Sequence, residues 1–197
     1  MGKIVEIVEM DQMMFSEDPD VSLKASGIST SIVFATMGSY YKDRNLINFC
    51  GLYYWSGFDV NEENPAKKAQ LLLFSFFDGL RVQLDLEDPQ QVLLKEIHFV
   101  GGEKPYYENG ELLSSGTVRE VEALRKAVDA FEFFEEGVSI HPNNIHYESY
   151  LTSNEESLQL EITPQKMRYE YDYTNESIFA DIEAEIDADP NPLFSYK

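Results

Sequence analysis

Gly27-Ile-Ser-Thr-Ser-Ile-Val-Phe-Ala-Thr-Met-Gly38, a polar step at Lys42-Asp-Arg-Asn45, and Leu46-Ile-Asn-Phe-Cys-Gly-Leu-Tyr-Tyr-Trp55 decide the fold of this 197-residue chain. Two β-branched and aromatic runs around a short polar turn read as a β-hairpin. Both runs are apolar at successive positions, so both faces are covered. Such a hairpin belongs in the middle of a sheet with helices over it. Upstream, residues 3–9 alternate as a strand, residues 11–20 form a Met- and acid-rich connection, and residues 21–26 lead into the hairpin.

Downstream, Asn64-Pro65 starts a helix, because Asn accepts backbone N–H bonds as a cap and Pro suits the first helical position. Ala69, Leu72, Leu73, Phe76 and Leu80 follow at helical spacing, with Gly79 the expected close. Residues 81–86 alternate as a strand with one wet face. Asp88-Pro89 marks a turn, and residues 93–100 read as a strand ending in Gly101-Gly102. Thr117 and Glu120 fit a capping box, and Val121, Leu124, Val128, Phe131 and Phe134 form one stripe before a stop at Gly137. Residues 138–141, 145–151, 158–163 and 167–173 are β-rich and separated by turn residues, as in an antiparallel meander. The expected fold class is α+β, a layered sandwich of mostly antiparallel β-sheet with two main helices. One domain is expected over residues 1–177, with an acidic C-terminal helix or tail over 178–197.

The chain carries 36 acids against 15 bases, a net charge of -21. That field repels phosphate backbones, which excludes direct nucleic-acid binding, and it attracts a partner protein with a basic patch. Cys50 is the single cysteine, so no internal disulfide forms. No apolar run is long enough to span a bilayer, and the alternating start lacks the basic-then-apolar pattern of a signal peptide. A cytoplasmic location is expected, or export as an effector without a signal peptide. No phosphate loop, dinucleotide fingerprint, zincin motif or Cys-x-x-Cys pair is present, so no cofactor is expected.

From about residue 18 to 173 the chain resembles the chemoreceptor glutamine deamidases of the CheD type and, more remotely, the cytotoxic necrotizing factor group of deamidase toxins. Their core pattern is Gly-Leu-Gly-Ser-Cys, an apolar strand, a turn, and a strand ending Gly-x-x-His. Gly27-Ile28-Ser29-Thr30-Ser31 matches the first part and Gly51-Leu52-Tyr53-Tyr54 the last. Residues 66–79, the strand ending Gly101-Gly102, and Ser115-Gly116-Thr117 with its helix match in order. The resemblance implies that Ser31 stands where the family has its nucleophilic Cys, and Tyr54, or Tyr53, where it has His. A thiolate attacks the glutamine carboxamide in such enzymes, and an imidazole moves the proton. Serine is a far poorer nucleophile without an adjacent base, and tyrosine is a poor base at neutral pH.

Three functions from different classes follow. The first is a degenerate, non-catalytic deamidase-like protein that binds a partner at the rim of the hairpin, through Tyr40, Tyr53 and Trp55. The second is an active amidohydrolase in which Ser31 attacks, Tyr54 orients the substrate, and the backbone N–H groups near Ser29 and Thr30 hold the oxyanion. The third is a secreted bacterial effector or an immunity protein, suggested by the acidic tail.

Other chemically capable residues have plainer readings. Cys50 reads as a small buried apolar residue, and His98 as a hydrogen-bonded structural histidine. A two-residue turn at Asn143-Asn144 would set His141 opposite His146, with Glu148 on the same face. Two imidazoles and a carboxylate can bind zinc, but Ile140, Ile145 and Tyr147 would take the buried face, so a solvated face without metal is expected. Tyr169, Tyr171 and Tyr173 alternate as the inward side of a strand.

Overall fold

The computed structural model describes residues 4–59, 61–87, 90–148 and 156–172. Among them run β1 (Ile4–Ile7), β2 (Met13–Ser16), β3 (Val21–Ile28), β4 (Ile32–Lys42), β5 (Asn45–Trp55), α1 (Pro65–Gln83), β6 (Val92–Gly101), β7 (Tyr106–Glu108), β8 (Glu111–Ser114), α2 (Val118–Ala130), β9 (Val138–Ser139), β10 (Ile145–Glu148), β11 (Leu158–Ile162) and β12 (Met167–Tyr171). The fold is α+β and layered. A six-stranded sheet has the order β10-β6-β4-β5-β2, with β9 also on β6; a four-stranded sheet has the order β1-β3-β11-β12; β7 and β8 pair alone.

The quoted stretch forms the expected hairpin. β4 and β5 pair from Ile32↔Trp55 to Lys42↔Asn45, around Asp43 and Arg44, both at positive φ. Two such residues make the mirror-image turn whose twist matches paired strands. One face of the hairpin packs under α1 and α2, where Phe34, Tyr53 and Trp55 meet Leu73, Phe76 and Leu124. The other face is covered by the second sheet rather than by helices: Val33, Ala35, Cys50 and Leu52 pack on Leu23, Ala25, Leu160 and Ile162. The molecule is therefore a helix pair, a central sheet and an outer sheet, with an apolar core in each gap.

Several expectations are corrected. Residues 11–20 contain a strand, β2, which pairs antiparallel with β5 at the sheet edge. α1 begins at its predicted cap, where the Asn64 side chain accepts from the Lys67 N–H at 3.1 Å. It does not close at Gly79 but runs to Gln83, so residues 81–86 are helix end and turn instead of strand. Gly79 has a packing role: a Cβ there would lie 2.3 Å from the Met13 sulfur. The extra helical turn carries Gln83 to the edge strand. Its amide accepts from the Phe15 N–H at 3.0 Å and donates to the Met13 carbonyl at 3.1 Å. Covering an edge this way satisfies groups that would otherwise invite another strand.

Thr117 sits at the N-cap of α2, but no capping box forms. Its hydroxyl accepts from the Glu103 N–H at 2.8 Å instead. α2 buries Leu124 and Val128 and ends before Phe131, which leaves Phe134 80% exposed and off the stripe. The predicted meander splits. β9 and β10 pair parallel with β6, whereas β11 and β12 form an antiparallel hairpin in the other sheet. Parallel pairing needs a long crossover, and α2 supplies it. Tyr169 and Tyr171 pack partly against the inter-sheet core as expected. Tyr173 and the expected acidic segment at 178–197 lie outside the described residues.

Candidate functional site

Ser31 immediately precedes β4, and Tyr54 lies opposite Val33 on β5. The register brings the two together. Tyr54 points into the inter-sheet core, where its hydroxyl donates to the Gly27 carbonyl at 2.9 Å and the Ser26 carbonyl at 3.1 Å. Burial raises the Tyr54 phenol above its ordinary pKa; the Ser31 hydroxyl beside it acts in the opposite sense, and the charge of Glu9 raises it further. Behind Ser31, the Gly102 N–H donates to its carbonyl at 2.9 Å. Gly101 makes the turn there at φ 107°, and a Cβ on it would lie 2.6 Å from the Ser31 carbonyl oxygen. Only a glycine fits both constraints.

This pair is sealed rather than open. Ser31 is 3% exposed and Tyr54 5%. A phenol that is already donating can accept a hydrogen bond from serine but cannot act as the base that takes its proton. The Thr30 N–H, expected to hold an oxyanion, is engaged by the Ser29 hydroxyl at 2.7 Å. His98 pairs with Ala35, four residues along from Ser31, so it lies roughly 13 Å down the ladder.

Cys50 is fully buried, with its sulfur 3.9 Å from the Ile162 carbonyl oxygen. Burial pushes its pKa up to about 12, so it is not poised as a thiolate. The hairpin-rim residues are corrected in role. Tyr40, Tyr53 and Trp55 are all buried against the helix-side core and present no contact surface. The Tyr40 hydroxyl bonds Glu17, and burial followed by that contact raises its pKa.

The proposed histidine pair is rearranged. Pro142 to Asn144 form a 3-10 turn, not a two-residue hairpin turn, and the His141 Nδ1 accepts from the Asn143 N–H at 3.2 Å. His141 therefore does not face His146. Parallel pairing sets His146 beside His98 instead, with ring centroids 4.4 Å apart and planes 19° apart. Glu96 Oε2 lies 3.1 Å from His98 Nε2, and Glu148 Oε2 lies 3.5 Å from His98 Nδ1. His146 and Glu148 of the expected group come together, but the partner histidine, His98, sits on β6, 48 residues before His146. Nothing local in the sequence signals that pairing.

One surface feature went unread in the sequence. β7 and β8 form a separate hairpin whose Tyr106, Tyr107, Leu112 and Leu113 are 49–60% exposed. Its signal was Asn109-Gly110, a dipeptide that suits two positive φ values, here 51° and 86°. On the helix side of the central sheet, a cavity of about 340 Å³ lies among Val128, Phe131, Phe133, Ile140, Ile145 and Tyr147. Asp129 is the one acid lining it, and no Ser, Thr, Cys, Lys or His side chain lines it. No described helix is long and apolar enough to cross a membrane. No protein-family model matches this chain, and no curated protein does either.

Proposed function

We propose that this chain is a non-catalytic protein-binding protein on a deamidase-like framework, with a basic protein as its partner. The observation that carries the reading is the sealed Ser31–Tyr54 pair. Its hydroxyl is buried and faces a phenol whose own proton is committed to backbone carbonyls. A serine hydrolase requires an accessible hydroxyl and a base within hydrogen-bond reach. The neighbouring placement of the two positions supports the deamidase-like ancestry, and the chemistry of their side chains supports loss of the reaction.

Binding then falls to the surface. The net charge of -21 favours a basic partner by steering it in. The β7–β8 arm offers apolar side chains flanked by Glu108 and Glu111, a combination suited to a basic surface with an apolar cleft.

Ammonia release from a glutamine-containing protein tests the catalytic half. The expected result is no release above buffer, from the natural chain and from Ser31→Ala alike. Release that is abolished by Ser31→Ala and kept by Cys50→Ala establishes an amidohydrolase and overturns the proposal. A photoreactive side chain at position 107 tests the binding half. Adducts with a net-positive protein that vanish at high salt are expected. Adducts confined to acidic proteins overturn it.

A further inference from the structure

We infer that Glu96, His98 and His146 form a binding site for one divalent transition-metal ion, zinc being the ion they suit best, with Glu148 holding His98 in the required tautomer. The site is independent of the binding role proposed above.

The residues converge because the strands are irregular at one place. Pairing of β4 with β6 slips between Met37 and Gly38, a β-bulge that leaves Lys95 unpaired. Val92 and Leu94 before it face the helices, and so do Ile97 and Phe99 after it. The bulge thus resets the alternation, and Glu96 and His98 are turned to the other face. Without the extra residue Glu96 would share the helix-side core. Both carbonyls at the bulge are held. The Thr36 hydroxyl donates to the Glu96 carbonyl at 2.7 Å, and the Asn144 amide donates to the Lys95 carbonyl at 2.7 Å. Asn144 precedes His146 by two residues, so the same contact fixes the start of β10. Bulges are a recurrent device for re-aiming side chains at sites.

The ligand atoms of Glu96, His98 and His146 all lie within 4.8 Å of one another. Two imidazoles and a carboxylate are a ligand set for zinc and its neighbours, whereas calcium and magnesium prefer oxygen alone. The Glu96 side chain is more open than those of His98 and Glu148, at 44% exposure against 11% and 23%. A water can complete a tetrahedron from that side.

A second observation points to a ligand. His98 is 9% exposed, and its Nδ1 and the Glu148 Oε2 are buried without a hydrogen-bond partner, although they face each other at 3.5 Å. If the His98 Nε2–H donates to Glu96, Nδ1 presents a lone pair to a carboxylate, which is unfavourable. A metal on Nε2 removes the conflict. The neutral ring then carries its proton on Nδ1, aimed at Glu148, and a small approach from 3.5 Å satisfies both orphaned atoms. A carboxylate behind a ligating histidine is the usual outer partner of such a site. Stacked rings cannot both direct a nitrogen lone pair at one ion. His146, half-buried on the edge strand, therefore swings open about its χ2 angle on loading.

Zinc is titrated into the full chain against a chromophoric chelator, with the three histidine rings followed by NMR. One tightly bound equivalent is expected, shifting His98 and His146 and leaving His141 unmoved. Excess magnesium or calcium is expected not to compete. His146→Gln, at a half-buried position that tolerates the change, is expected to weaken binding about 100-fold or more, and Glu148→Gln about 10- to 100-fold at unchanged stoichiometry. Binding that survives His146→Gln and Glu96→Gln undiminished overturns the site, because it then reports the acidic surface. Movement of His141 alone overturns it too. So does absence of any histidine shift at saturating zinc, because the cluster then takes no metal.

Discussion

The Tyr54 hydroxyl on β5 donates to the Gly27 carbonyl at 2.9 Å, so one phenol joins the central sheet to the end of a strand in the outer sheet. The bond is part of how the two sheets are held in register, whatever else the site does. Tyr54→Phe is expected to lower stability by about 1 kcal/mol, since the freed carbonyls lie near the surface and find water. Ser31→Ala is expected to cost less, because the serine closes no backbone group. Urea denaturation of the two variants gives both numbers. A larger loss for Ser31→Ala than for Tyr54→Phe contradicts the assignment of the linking role to the phenol.

Cys50 sets an alkaline limit. Its thiol has an ordinary pKa of 9.0 and is pushed up to about 12 in the folded chain, primarily by burial. A raised folded pKa means that the neutral thiol is the form the fold favours. Its contribution is fully present below pH 9 and is lost as the pH climbs towards 12. The slope is about 1.4 kcal/mol per pH unit for this one group. Tyr54, also raised by burial, acts in the same direction above its ordinary value of 10.0. Cys50→Ala is expected to flatten the fall in stability between those limits, measured by denaturation at stepped pH. At neutral pH the natural thiol is expected to resist iodoacetamide until the protein is unfolded.

The residues that declare the architecture are those whose signals are local. Asn64-Pro65 announces α1, and the paired apolar runs announce β4 and β5, because capping and a mirror-image turn are settled within a few residues. The alternation at 81–86 misled because a helix end with Leu84 buried and Val82 exposed shows the same pattern over six residues as a half-wet strand. Phe134 missed its stripe because α2 stops four residues earlier, a boundary that packing sets. The meander failed for a different reason: parallel partners are chosen across a helical crossover, which no local pattern encodes. The same non-local pairing hid the His98–His146 contact. The placement of Ser31 near Tyr54 follows from the family resemblance, and the register that sets Tyr54 opposite Val33 agrees with it. The burial of Tyr40, Tyr53 and Trp55 follows from the covered faces of the hairpin, which rules out the rim contact expected of them.

Gly51 owes its identity to the ring beside it. β2 pairs Phe15 with Gly51, and a Cβ there would lie 2.2 Å from two carbons of the Phe15 ring. The ring fills the space over the glycine and stands against Phe76 at 5.2 Å between centroids. Gly51→Ala must displace a side chain held in the core, and an overpacking cost of about 1–3 kcal/mol is expected. Phe15→Leu in the same background is expected to recover part of that loss, so the two changes couple in a double-mutant cycle. Additive costs would show that the strand moves away as a unit and that the ring is not the obstacle.

The β7–β8 arm separates binding from folding. Tyr107 and Leu112 face each other across the hairpin, and Tyr106 and Leu113 are as exposed as they are. Neither β7 nor β8 is paired to either main sheet among the described residues. Replacing Tyr107 and Leu113 together by Ser removes apolar surface without touching either core, so stability is expected to stay within about 0.5 kcal/mol. The net charge is unchanged by both replacements, so any loss of partner binding reports apolar contact and not weakened attraction. Glu108→Lys with Glu111→Lys changes the charge and keeps the apolar surface. That variant is expected to slow association and reduce its salt dependence while dissociation changes little. Surface plasmon resonance with the partner recovered by crosslinking distinguishes the two cases. If the Ser variant binds as tightly as the natural chain, the arm is not the contact and the acidic surface elsewhere carries the interaction.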